Sequence, residues 1–160
     1  MPDSFSNYPN SSLQNLLSIG ELSTKDNASF STQMGSPNTF VQMLTWLTAS
    51  NSTAGVVSNV SGTANLVVQN PGYYMTSVAL SFSGSTGTYT FSLFQNGVQH
   101  PNCQVQQAIP AGQGAGPFSV TLSDVNIYAA GDTLDLRVKS NNAGASYQMQ
   151  NGNFIVFKVA

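Results

Sequence analysis

The chain has 160 residues, 41% of them hydrophobic but only 6% charged, and its formal net charge is −2. That length suits one domain of ordinary size with an extension and is too short for two sizeable cores. Four cationic side chains, Lys25, Arg137, Lys139 and Lys158, make no basic patch for a phosphate backbone, so no nucleic-acid partner is expected.

A surface built from Ser, Thr, Asn and Gln has weak long-range electrostatics, so contacts are expected to rest on shape, hydrogen bonds and apolar burial. Such a surface favours self-association. No apolar run approaches the roughly 20 residues of a membrane span. The N-terminus has neither the basic nor the apolar region of a secretory signal, and a chain made in a cytoplasm with no membrane partner is expected. The single Cys103 excludes an internal disulfide and a cysteine-based zinc cluster. His100, three residues before it and beside Pro101, is poor ground for a Cys/His nucleophile, which needs mutual geometry and an orienting group.

In chain order, residues 1–54 read as an irregular, Ser/Asn-rich arm. Leu13, Leu16 and Leu17 fall at helical spacing behind Ser12, with Gly20 as a stop. A second candidate helix opens at Ser36-Pro37, where Phe40, Met43, Leu44 and Leu47 form an i, i+3, i+4, i+7 stripe. A strand through Val41, Met43, Thr45 and Leu47 is the competing reading. Trp46 lies off the stripe, its ring either folded back on the rest of the protein or offered to a partner. Isolated helices this short are marginal in water, so the arm needs another surface to order it.

From Gly55 the period becomes two. Tyr74, Val78, Leu80 and Phe82 point one way with Thr76 among them, while Tyr73, Met75, Ser77, Ala79 and Ser81 point the other. Residues 83–87 turn the chain into the alternation of Tyr89, Phe91 and Leu93. Asn96-Gly97 is a strong hairpin signal. After the loop 110–117 come Phe118, Val120 and Leu122. Past the turn at Gly131-Asp132, Leu134, Leu136 and Val138 face inward and Asp135, Arg137 and Lys139 face water. The last strand, Phe154 to Val159, is apolar on both faces and is expected to be central or covered. Regular short strands with turns about every ten residues imply an antiparallel sandwich or barrel.

Four features occur in order: Gly72-Tyr73-Tyr74, the strand 91–95 running into Asn96-Gly97, Gly131-Asp132 before Thr133-Leu134, and the closing run Phe154-Ile155-Val156-Phe157. Over roughly residues 60–160 this resembles the jelly roll shared by the complement globular head and tumour necrosis factor, although Thr76 stands where a Phe often follows the Tyr. The resemblance implies an all-β, antiparallel jelly-roll sandwich, placed at 55–160, and the residues before it are read from their own texture as an extended arm at 1–54 carrying one or two short helices. It also implies a homotrimer with Tyr74 and Phe157 near its interface. Small jelly rolls of this texture, with a polar uncharged surface and an N-terminal arm, look like bacteriophage virion proteins.

The expectation is therefore a non-enzymatic capsid decoration or cement protein on the virion surface. Its arm would bind the major capsid protein or another virion protein through Leu13, Leu16, Leu17, Phe40, Met43, Leu44, Trp46 and Leu47. The alternative is the receptor- or glycan-binding head of a fibre or spike, with Tyr128, Tyr147 and His100 against a sugar. Acid–base catalysis would have to draw on Asp124, Asp132 and Asp135, with no buried polar pocket implied. Gly-Asp before a strand is ordinary turn chemistry, and calcium wants six or more oxygens, so no metal or other cofactor is expected.

Overall fold

Alternating apolar residues in short runs can bury one face only by pairing in sheets and stacking them, and the chain does this throughout the part described by the computed structural model. That part is residues 18–25, 31–46, 48–50, 52–60, 62–113 and 116–160. Its strands are β1 (Ile19–Thr24), β2 (Ser31–Gln33), β3 (Val41–Gln42), β4 (Thr48–Ser50), β5 (Val56–Asn59), β6 (Asn65–Val68), β7 (Gly72–Gly84), β8 (Gly87–Gln95), β9 (Val98–Ile109), β10 (Phe118–Tyr128), β11 (Thr133–Ser140) and β12 (Ser146–Lys158). No helix occurs among the described residues.

The strands form two antiparallel sheets. The first has the order β10-β7-β12-β1-β4, with β2 also on β12; the second has the order β5-β6-β11-β8-β9, with β3 also on β11. Between them lies one core. Tyr74, Val78, Leu80 and Phe82 from β7 and Phe154 and Val156 from β12 meet Tyr89, Phe91 and Leu93 from β8 and Leu134, Leu136 and Val138 from β11. The Phe82 ring stands edge-on to Tyr89 and Phe91, at centroid distances of 5.4 and 4.9 Å, a favoured geometry for the ring quadrupoles. Thr76, the polar interruption in β7, is fully buried, and its hydroxyl lies 3.3 Å from that of Tyr128, so it enters the core with a partner. The last strand is central, as its two apolar faces require, with β7 on one side and β1 on the other.

The Asn96-Gly97 turn has positive φ at both residues, 52° and 78°, as a tight hairpin between twisted strands demands. Asp132 holds this turn to the next one. Its carboxylate accepts from Asn96 Nδ2 at 2.7 Å, Gln95 Nε2 at 2.8 Å and the Ala129 N–H at 2.8 Å. Burial opposes the charge, but these donors outweigh it and hold the carboxyl below its ordinary range.

Three expectations are corrected. Ser36 to Trp46 is not helical: Ser36 to Asn38 form a bend and turn, with Asn38 at a φ of 59°, and the chain then runs along β11 through β3. Asn38 N–H donates to Ser140 O at 2.6 Å and Met43 N–H to Leu136 O at 2.9 Å. The segment thus takes the length of β11 that β6 leaves open, and tertiary pairing overrides its helical spacing. Second, the boundary near residue 54 does not separate an arm from a sandwich among the described residues, because β1 lies between β12 and β4 within the first sheet. The candidate helix through Leu13, Leu16 and Leu17, and Leu47, lie outside the described residues. Third, Asp135 is on the outer face of β11 as expected but only 5% exposed. Arg137 grips it through Nε at 2.6 Å and Nη2 at 3.1 Å, while Arg137 also sits over Phe94 and Lys139 over Phe40. Two of the four cations are thus spent on aromatic rings.

Trp46 is folded back, 2% exposed, its ring 6.1 Å from Phe154. Trp46→Ala is expected to lower unfolding free energy in denaturant by about 3–5 kcal/mol; a change below about 0.5 kcal/mol would mean a surface role. Asp132 stabilises the fold above the ordinary carboxylate range, and its contribution is lost as pH falls through the lowered folded value. Asp132→Asn should therefore be less stable than the parent at neutral pH, the gap closing below about pH 4 in acid unfolding.

Candidate assembly face

The first sheet has a second face, turned away from the core, and its register lays out that face row by row. Ile127 stands opposite Tyr73. The next row runs Val125, Met75, Phe157 and Ile19, and the one after it Ser123, Ser77, Ile155 and Glu21. Then come Thr121, Ala79, Asn153 and Ser23, and finally Ser119, Ser81 and Asn151. The rows therefore grade from apolar to small and neutral, and Glu21 is the single carboxylate in them. Its side chain is bonded to Asn153 Nδ2.

At the apolar end Tyr73 is 51%, Val125 58% and Ile127 57% exposed, with Val159 beside them at 48%. Isolated exposed aliphatics need no explanation, but neighbours in register form a patch, and patches mark interaction sites. At the neutral end is a shallow hollow of about 400 Å³ lined by Thr24, Ala79, Ser81, Ser119, Thr121 and Asn153. Small side chains there leave the sheet open to close approach.

Of the two residues expected at a trimer interface, Phe157 lies on this face, half-buried, and Tyr74 does not. Tyr74 is 0% exposed; its hydroxyl donates to Asn70 O at 2.6 Å and its ring lies 5.9 Å from Tyr128. In a strand a step of one residue reverses the face, so Tyr73 takes the outward place. Among the residues expected to grip a capsid, Met43 and Trp46 are interior, and Phe40 packs edge-on against Phe94 at 5.1 Å. Leu44 alone of the described ones is open. Tyr73, Val125 and Ile127 were not singled out from the sequence, though period two already put the first of them opposite Tyr74.

The candidates for chemistry or sugar binding are accounted for within the protomer. Tyr128 and Tyr147 are core residues, and burial pushes both phenols up to about 12, opposed at Tyr128 by the Thr76 hydroxyl and at Tyr147 by those of Thr32 and Thr45. His100 faces Asp124 and Asn126 with its two ring nitrogens. Cys103 is 1% exposed, and burial together with the Asp124 charge raises its thiol to about 12. A thiol so placed is a poor nucleophile. Asp132 is engaged with turn donors and Asp135 with Arg137, and the described residues hold no cluster of three or more His, Cys, Asp or Glu.

No family model matches the sequence, and neither does any curated protein. Among solved structures, the chain is similar to that described as Eiger TNF from S. frugiperda. The TM-score is 0.67 over 90% of this chain and 93% of that one, at 16% identity. The fold is a tumour-necrosis-factor-like jelly roll. At that identity the likeness is one of architecture.

Because Cys103 is raised in the folded state, its contribution is complete below the free-thiol range and is lost as pH climbs through about 12. An aromatic disulfide reagent at about pH 8 should label it only at the rate of global unfolding; immediate stoichiometric labelling would contradict its burial.

Proposed function

We propose that the chain is a non-enzymatic virion structural protein: a decoration or cement protein of a bacteriophage head that stands on the capsid surface as a homotrimer. The observation that carries this reading is the outer face of the first sheet, a surface four strands wide with a single carboxylate and an apolar end. Burying it against further copies of the chain satisfies the four exposed residues Tyr73, Val125, Ile127 and Val159 at once. A low-charge partner surface suits it, since it has no field with which to steer a charged one.

Attachment to the major capsid protein, or to another virion protein, falls in this reading to the segment before Ser18, with Leu13, Leu16 and Leu17, and to the exposed Leu44. Met43 and Trp46 are withdrawn from that role by their burial. Threefold repetition of shallow contacts gives avidity without strong single sites.

Light scattering should give three times the chain mass. Val125→Asp with Ile127→Asp should weaken association by about 2 kcal/mol or more, roughly 30-fold, through burial of unpaired charge; an unchanged mass would remove this face from assembly. Deleting residues 1–17 should abolish binding to empty capsid shells while leaving the trimer intact. Equal binding by both forms would end the attachment mechanism.

A further inference from the structure

β9 and β10 are edge strands of different sheets, so no backbone ladder joins them and side chains must hold the seam. A register shift in β9 between the partners of Ser92 and Phe94 lies where residues 100–103 fall, and His100 reaches from there to β10. Its Nδ1 lies 3.1 Å from Asp124 Oδ2. Both atoms are out of solvent contact, and neither makes a hydrogen bond among the described residues, so the contact between them is electrostatic. Its Nε2 meets Asn126 Nδ2.

The orientation of the Asn126 amide follows from its other contact. Asn126 Oδ1 accepts from the Ile127 N–H at 2.9 Å, and an oxygen is required there, so the group facing His100 is the NH₂. That NH₂ donates, Nε2 must accept, and the ring proton therefore sits on Nδ1, on the side of Asp124. This neutral tautomer satisfies the Asn126 amide and leaves the Nδ1 proton beside the Asp124 carboxylate as an electrostatic contact.

Asp124 and Asn126 alternate along β10 with Val125 and Ile127, the most exposed apolar residues of the assembly face. The same four residues are thus clasped on one side and presented on the other. We propose that His100 is a proton-operated latch that sets the position of Ile127 on the assembly face, an inference that rests on the assembly reading above. A proton taken from solvent at Nε2 brings an N–H against the Asn126 NH₂. The bond is lost, and Asn126 can recover it only by turning its oxygen to His100 and abandoning the Ile127 N–H. The imidazolium meanwhile attracts the Asp124 carboxylate more strongly, so β9 stays tethered. Release is confined to residues 126–127.

The titratable groups around the latch are Asp124 and Tyr128 from β10 and Cys103 from β9. Asp132 also acts on Tyr128. Tyr128 and Cys103 are buried and stay protonated through the range in which imidazoles ordinarily titrate.

The test is nitrogen-detected NMR and sedimentation equilibrium on the full chain, from about pH 8 down through protonation of the ring. At the alkaline end His100 should carry its proton on Nδ1. On acidification the Asn126 side-chain amide and the Ile127 amide should shift with the midpoint of the imidazole. Exchange protection at Ile127, corrected for intrinsic rate, and the association constant should each fall about tenfold, the scale of one hydrogen bond. In His100→Gln all of these should be flat. A proton on Nε2 at pH 8, or an Ile127 signal that ignores the imidazole, overturns the latch, and both are read on the parent protein even if His100→Gln fails to fold. If Asn126 and Ile127 follow the imidazole while the association constant does not, the coupling to assembly is overturned. An unchanged mass in Val125→Asp with Ile127→Asp would instead sink the assembly reading, leaving the latch to be decided within the protomer.

Discussion

The ladder between β7 and β12 joins Gly84 to Tyr147 at one end and Tyr74 to Lys158 at the other, and the remaining strands are placed by it. One face of this pair supplies the aromatic half of the core through Tyr74, Phe82 and Phe154; the other supplies the middle rows of the outer face through Met75, Ser77, Ile155 and Phe157. Because side chains alternate with a strict period of two, a single register decides both surfaces together. β10 and β1 then extend each row by one strand to either side.

Scarcity of charge shapes the rest. Of ten formal charges several are engaged locally: Asp132 by turn donors, Asp135 by Arg137, and Lys139 over Phe40, while Asp124 lies beside His100. The rows on the outer face of the first sheet hold one carboxylate, Glu21, and no cation. Such a surface lacks the like-charge repulsion that keeps proteins apart, so the same composition that offers few cations leaves the face of the first sheet open to other neutral surfaces. The seam at His100 ties these themes together, since one strand both closes the sandwich edge and carries the apolar row.

Much of the fold was legible in the residues. The alternation from Tyr73 onward, the Asn96-Gly97 turn and the two-faced last strand each correspond to a local physical requirement, whether side-chain period, positive φ or burial on both sides. The path from Thr39 to Trp46 was not legible, because Phe40, Met43, Leu44 and Leu47 fall at helical spacing in the sequence. Only the open stretch of β11, contributed by residues a hundred positions later, chooses extension. Asp135 was misjudged for a related reason: alternation tells which side a residue is on, not whether Arg137 will grip it there.

Composition and periodicity were enough to establish an all-β sandwich, a neutral surface and the inward set of each strand, since these depend on a residue and its near neighbours. Which outward residues line up across strands is a property of register between distant segments. The patch of Tyr73, Val125 and Ile127, the withdrawal of Trp46 into the core and the meeting of His100 with Asp124 therefore exist only once the chain has folded.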